Sequence, residues 1–374
     1  MALPQTFLSG NGDRQQALIV VFLRGGADGL SLVAPVEDDE YQKARPRIAV
    51  AKRDALRLDG HFAWHPLLKE LHSIYQDGAL AVVHAAGSED DTRSHFEAQD
   101  LMEHGGLVAG GWLGRFLRYR PNAGSGALSA IAVGRELPEV LRGAPAATVM
   151  QSLDEFSLGA GAAPLARELG RLYGAHAGAL GGAARDTLDA LGRIEKLRGV
   201  KYAPERGADY GKDGFALGLM QVARLIKARV GLEAVSIDLG GWDSHFTQLT
   251  LIEPLITRLS KGLAACYRDL GPAMERTTVV VMSEFGRRVR ENASFGTDHG
   301  RGGVMFVMGG GVKGGRVAGS WPGLKGEALE GPGDLPVLNN YRNVLAPILR
   351  RHGAGSGMQQ IFPEFEVEPM ELYG

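Results

Sequence analysis

Six short apolar runs punctuate the chain: Ala17–Leu23, Ala79–Ala85, Ala127–Val133, Ala234–Leu239, Thr277–Met282 and Gly303–Met308. Each ends in glycine or a polar cluster, and most are rich in β-branched residues. They are largely apolar rather than alternating, the pattern of strands covered on both faces in a parallel sheet. Between them the spacing becomes helical. Phe215, Leu219, Val222, Ile226 and Val230 form one stripe; Phe246, Leu249, Ile252, Leu255, Ile256, Leu259 and Leu263 form another. Strands alternating with helices predict an α/β fold with a mostly parallel central sheet flanked by helices. From about Pro164 to Arg198 the chain is rich in Ala, Leu, Gly and Arg, with Leu188, Leu191, Ile194 and Leu197 spaced by three. This predicts a helical insertion within residues 150–232 of a single α/β domain spanning 1–374. Its glycines, among them Gly170 and Gly182, each weaken a helix by roughly 1 kcal/mol relative to Ala.

Composition narrows the class. Lys plus Arg is 41 against 43 Asp plus Glu, a formal net charge of −2. That balance argues against nucleic-acid or membrane-surface binding, which calls for a basic excess. No apolar run approaches the ~20 residues needed to cross a bilayer. Glycine, 54 of 374 residues, is about twice the usual ~7%, which implies many tight turns and backbone close to whatever is bound. The single cysteine, Cys266, excludes an internal disulfide and reads as a buried, inert thiol. The start, Met1-Ala2-Leu3-Pro4, has neither a basic nor an apolar leader region.

In open parallel sheets, ligands collect at the carboxyl ends of the strands. The first run leads into Arg24-Gly25-Gly26-Ala27-Asp28-Gly29, the second into Asp91-Thr92-Arg93-Ser94-His95, the fourth into Gly240-Gly241-Trp242-Asp243-Ser244-His245 and the fifth into Ser283-Glu284-Phe285-Gly286-Arg287. Thr297-Asp298-His299-Gly300 lies just before the sixth. One edge thus presents Asp28, Ser94 and His95, Asp243 and His245, Glu284, and Asp298 and His299. Carboxylates and imidazoles together make a divalent-metal ligand set, and Arg24, Arg93 and Arg287 are bidentate donors for an anion. Each element also has a structural reading: Asp28 as a turn residue, His245 as a helix cap, and Ser94 with Glu97 as a capping box. His61, His65, His72, His84, His104, His176 and His352 read mostly as structural, with His65 and His84 the first exceptions. No G-x-G-x-x-G opens a helix after the first strand, which argues against a dinucleotide site.

Taken together, Phe22-Leu23-Arg24-Gly25-Gly26 through Leu30, Arg93-Ser94-His95-Phe96, Gly240 to His245, Ser283 to Arg287 and Asp298-His299-Gly300 resemble the domain-of-unknown-function 1501 family. That bacterial family is grouped with the alkaline phosphatase and sulfatase superfamily. The resemblance implies an alkaline phosphatase-like fold, with Asp28 on one metal, Asp243 and His245 on the other, and His299 with Asp298 completing the set. Ser94 occupies the place of the nucleophile. Where the superfamily usually has Asp-His, this chain has Glu284-Phe285, so a nitrogen ligand is missing there unless His299 or Asp298 replaces it. Ala27 stands where Asn is expected. Family members commonly carry a twin-arginine export signal, which implies a periplasmic or secreted protein.

The expectation is a metal-dependent hydrolase of a phosphate or sulfate ester. Ser94 or a metal-bound water attacks, Arg93 or Arg24 clamps the anion, and Asp28, Asp243, His245, Glu284, Asp298 and His299 bind metal. Zinc is expected first, with manganese, magnesium and calcium as alternatives, in one or two ions. The partner is a small-molecule or glycan ester, with no nucleic acid and no membrane span, and the oligomeric state is left open. The alternative is a non-catalytic metal-, glycan- or partner-binding protein on the same fold.

Overall fold

A computed structural model describes residues 16–120, 126–154, 162–174 and 178–374. The apolar runs form strands of a nine-stranded sheet in the order Arg316–Ala318, Leu80–Gly87, Gly303–Gly309, Thr277–Met282, Ala17–Arg24, Ala234–Gly240, Ala130–Val133 and Thr148–Met150, with Asn339–Asn340 beside Leu80–Gly87. Every described pairing is parallel except those of Gly303–Gly309, which runs antiparallel to both neighbours. The C-terminal ends of the parallel strands and the start of Gly303–Gly309 therefore share one edge.

The continuous apolar runs have a direct cause. Along Ala17–Arg24, Ile19, Val21 and Leu23 enter one core, while Leu18, Val20 and Phe22 enter the other. The first core packs under the Gly214–Lys227 and Gln248–Leu270 helices; the second packs under Trp112–Tyr119 and Tyr341–Arg351. The fold is thus α/β with helices on both faces, as the pattern predicts. A small three-stranded sheet of Val33–Ala34, Ala63–Trp64 and Leu56–Arg57 lies to one side.

Two local differences from the pattern have physical reasons. Phe246 is not on the helical stripe: it is 60% exposed, and the helix begins only at Gln248, after Thr247 in a left-handed conformation at φ 41°. Within residues 150–232, the helices Ala162–Gly174 and Ala179–Arg198 pack on each other. Gly214–Lys227 instead packs on the Gln248–Leu270 helix and the Ala234–Gly240 strand, as part of the sheet's own helical layer. Among the described residues, no helix is long and apolar enough to cross a membrane. Cys266 is buried, and burial pushes its thiol up to about 12, so it is not a thiolate at neutral pH. His176 lies outside the described residues.

Candidate metal centre

Four segments meet at the shared edge. The Leu80–Gly87 strand leads to a loop capped by Ser94, and His95 is the first residue of the His95–His104 helix. Ala234–Gly240 leads directly to Asp243 and His245, and Thr277–Met282 to Glu284. His299 is held opposite by an antiparallel bridge to Arg287, with Gly286 N donating to Arg301 O (2.8 Å) and Gly300 N to Gly286 O (2.9 Å). Glycine is required where these turns touch. A Cβ on Gly25 (φ 116°) would lie 2.5 Å from Asp243 N, and one on Gly26 (φ 63°) would lie 2.5 Å from the Phe285 ring.

Single ligand atoms of His95, Asp243 and His299 all lie within 4.8 Å of one another. His245 joins them, its Nε2 lying 2.8 Å from His299 Nε2 and 3.1 Å from Asp243 Oδ1. His299 Nε2 is 3.5 Å from Asp243 Oδ1, and His95 Nε2 is 3.6 Å from Asp243 Oδ2. Donors about 2.05 Å from a tetrahedral zinc would be about 3.3 Å apart, which these separations bracket.

The far side of each imidazole decides its tautomer. His95 Nδ1 donates to Glu284 Oε1 at 2.8 Å, and His299 Nδ1 donates to the Arg93 carbonyl at 2.7 Å. His245 Nδ1 faces Asp298 Oδ1 at 3.5 Å. With Nδ1 carrying the proton, each Nε2 turns a lone pair inward. Two such nitrogens facing at 2.8 Å repel unless a cation or proton stands between them. His95 Nε2 is buried with no hydrogen-bond partner, an orphan that a metal would satisfy. The donor set of three imidazole nitrogens and one carboxylate therefore fits a divalent ion.

The protein of unknown function DUF1501 family matches residues 78–372. The chain belongs to that family. No curated protein matches it. Among solved structures, the PH0037 protein from Pyrococcus horikoshii is 12% identical at a TM-score of 0.31, over 79% of this chain and 86% of that one. An alkaline phosphatase from the Antarctic bacterium TAB5 is 9% identical at 0.26, over 79% and 92%.

In this DUF1501 protein, the other residues singled out from the sequence take different places. Glu284, 2% exposed, stands behind His95. Its Oε1 accepts from His95, Gly25 N (2.8 Å) and Gln99 Nε2 (2.9 Å). Burial alone would raise the Glu284 carboxyl, but the hydrogen bonds from His95 and Gln99 outweigh it and hold it below the ordinary range. The same contact, acting against burial, raises His95. Burial lowers His299. Asp243 is held low, against burial, by Arg287, whose Nη2 donates to Oδ1 at 2.8 Å. Asp298 is held low first by Asn292, whose Nδ2 donates at 3.2 Å, and it stands behind His245.

Asp28 is not brought to the cluster. It is 1% exposed and accepts from Arg45 Nη1 (2.5 Å) and Nη2 (3.1 Å), Ser31 Oγ (2.7 Å), Gln248 Nε2 (2.6 Å) and Leu30 N (3.2 Å). These bonds occupy the lone pairs that a metal would need. Ser94 caps its helix, accepting from Glu97 N at 3.5 Å. Neither proposed clamp is free. Arg24 pairs with Asp238 (2.8 Å) and Glu103 (2.9 Å), and Arg93 donates to Asp334 (2.6 Å) and the His299 carbonyl (2.9 Å). Phe285 packs against both His95 (ring centroids 4.9 Å) and His299 (4.8 Å), whose rings also meet each other at 4.4 Å. His84 lies in the core, donating to Val33 O at 2.9 Å, and His65 caps a short helix through Leu67 N.

The candidate ligand that the sequence placed at this edge but left out of the expected metal set is His95. The capping box around Ser94 drew attention to its neighbour. A usable signal was present: His95-Phe96 and His245-Phe246 repeat one dipeptide after two strand ends, and both phenylalanines are exposed, at 85% and 60%.

Proposed function

We propose that this protein is a metal-dependent hydrolase of a phosphate or sulfate ester, with His95, His245, His299 and Asp243 holding one divalent ion. The observation that carries the reading is the set of three imidazoles, each with its outer nitrogen turned to an acceptor and its inner one aimed at a shared centre beside a half-exposed carboxylate. A bound ion would supply charge neutralisation and an activated water at neutral pH. Glu284, the Arg93 carbonyl and Asp298 keep the three rings oriented, and Arg287 holds Asp243. Three nitrogens and one carboxylate favour zinc or manganese over magnesium and calcium, which prefer all-oxygen sites.

Because Ser94 is engaged as a helix cap, attack by water is the favoured version. A cavity of about 360 Å³ lined by Arg24, Arg135, Ser236 and Asp238 leaves room for the rest of an ester on the same edge. Arg24 connects this cavity to the cluster through Gln99 and Glu284. An exported location belongs to the same proposal. The carboxylate-paired state of Arg24 and Arg93 favours a second reading, a metal-binding protein without turnover.

The test is elemental analysis of protein purified without chelator, followed by assays on aryl phosphate mono- and diesters and aryl sulfate. About one equivalent of zinc or manganese, lost in His95→Ala and His299→Ala, with turnover retained in Ser94→Ala, is the expected result. Bound metal without turnover on any ester supports the second reading. Absence of bound metal overturns both.

A further inference from the structure

We infer that Gln248 is a positioning residue that fixes the separation of the two histidine-bearing loops and thereby shapes the metal centre. Its side chain is fully buried at the start of the Gln248–Leu270 helix. Asp28 orients the amide, because a carboxylate held ionised by Arg45 only accepts, so the group 2.6 Å from its Oδ2 must be the Gln248 NH₂. The same Nε2 donates to Ser31 Oγ at 3.1 Å. Oε1 is thereby left as an acceptor, and it receives Thr297 Oγ (2.6 Å) and Ser244 Oγ (3.3 Å).

Those two hydroxyls come from the two loops that matter. Ser244 lies between Asp243 and His245, and Thr297 lies two residues before His299. One carbonyl oxygen thus ties both loops to a common point. Behind it the tie is rigid, since Arg45 also donates to Val289 O (2.7 Å) and Arg288 O (2.9 Å), in the chain that leads to His299. The backbones are joined as well, with Thr297 N donating to Ser244 O at 3.3 Å. Two imidazole nitrogens 2.8 Å apart need such a restraint, because without it their lone pairs would drive the loops apart. Asp28 thus acts on the centre through Gln248 and not by coordination.

The inference rests on the metal reading only for its effect on affinity; its effect on geometry stands separately. Gln248→Leu keeps the bulk and removes both ends of the tie. In metal-free crystals of this variant, the His245–His299 Nε2 separation is expected to widen. In a chelator competition, the dissociation constant for zinc is expected to rise about 10- to 100-fold, as for other residues that orient ligands. Asp269→Asn serves as the comparison. Asp269 is a buried carboxylate at the far end of the same helix, accepting from Tyr202 and Tyr210. That variant is expected to lower the melting temperature while leaving separation and zinc affinity unchanged.

If Gln248→Leu melts lower but keeps both the separation and the affinity of the parent, Gln248 only stabilises the fold and the inference is overturned. Should Gln248→Leu not fold, Ser244→Ala with Thr297→Val removes the two donors while leaving Gln248 in place, and the same widening is required. Parent protein that takes up no zinc refutes the metal reading, and the crystallographic separation then decides the role of Gln248 alone.

Discussion

Replacing Glu284 by glutamine separates a residue that binds a metal from one that holds a ligand. The side chain is almost fully buried, and its Oε1 receives His95 Nδ1, Gly25 N and Gln99 Nε2, all at 2.8–2.9 Å. A glutamine with its carbonyl in the Oε1 position keeps these three partners, and its NH₂ group lies where Oε2 met Ser283 Oγ at 3.0 Å. The fold should therefore survive. What is lost is the charge. A hydrogen bond to an ionised group contributes about 1.5–3 kcal/mol against about 0.5–1.5 kcal/mol for a neutral one, so metal-free stability should fall by roughly 1–2 kcal/mol. The His95 ring also loses the carboxylate that makes its Nε2 more basic, which should weaken metal binding about 10- to 100-fold, or about 1.4–2.7 kcal/mol. His95→Ala removes a donor atom outright and should abolish stoichiometric binding. Urea melts of chelator-treated protein and zinc competition with a chromophoric chelator measure the two effects. Equal and complete loss of metal in both variants would refute the argument, because Glu284 would then be a ligand itself.

Acid stability follows from three buried histidines. Burial pushes His65 and His84 down to about 4 and His352 to about 3, while the unfolded chain titrates near 6.5. The unfolded state therefore binds more protons between about pH 3 and 6.5, so this stability is fully present above that window and is lost as pH falls through it, by at most about 4 kcal/mol per pH unit; urea melts at pH 7, 6 and 5 that superimpose would exclude it. Arg45→Met should destabilise the protein by about 3 kcal/mol, the low end for a broken buried pair, because Asp28 keeps its bonds from Ser31, Gln248 and Leu30 N; an unchanged denaturation midpoint would show that Asp28 needs no counter-charge. Gly25→Ala should lower metal affinity as well as stability, since its methyl group meets Asp243 N; wild-type zinc binding in a titration would show that the turn yields elsewhere.

The sheet was legible because a strand covered on both faces has to be apolar at successive positions, and Leu18 to Leu23 have no other plausible use. The site was legible only as a set of residues near one edge. A buried carboxylate is costly unless paired, and Glu284 follows a wholly apolar strand and Asp28 a Gly-Gly turn, but the sequence could not say that their partners are a histidine and an arginine rather than a metal. Arg45 is 17 residues from Asp28 and His95 is 189 from Glu284, and both partnerships come from tertiary packing. Orientation about an imidazole also escapes sequence: His245 and His299 point inward because of Asp298 and a backbone carbonyl that lies 206 residues from His299.

The reversed strand Gly303–Gly309 has a consequence for how the site can change over time. A connection between parallel strands must return across the whole sheet, usually as a packed helix, so its length is constrained by the layer it crosses. The connection from Met282 to Gly303 begins and ends at the same edge and makes no such crossing. It can gain or lose residues between its paired segments without disturbing either helical layer, much as a surface hairpin does. The exposed turn at residues 293–295 is thus the part of this rim most open to insertion and deletion, while Glu284 and His299 on either side are tied in through His95, Arg93 and, by way of Thr297, Gln248. Divergence among proteins built this way should concentrate in that turn and leave the residues around the centre fixed.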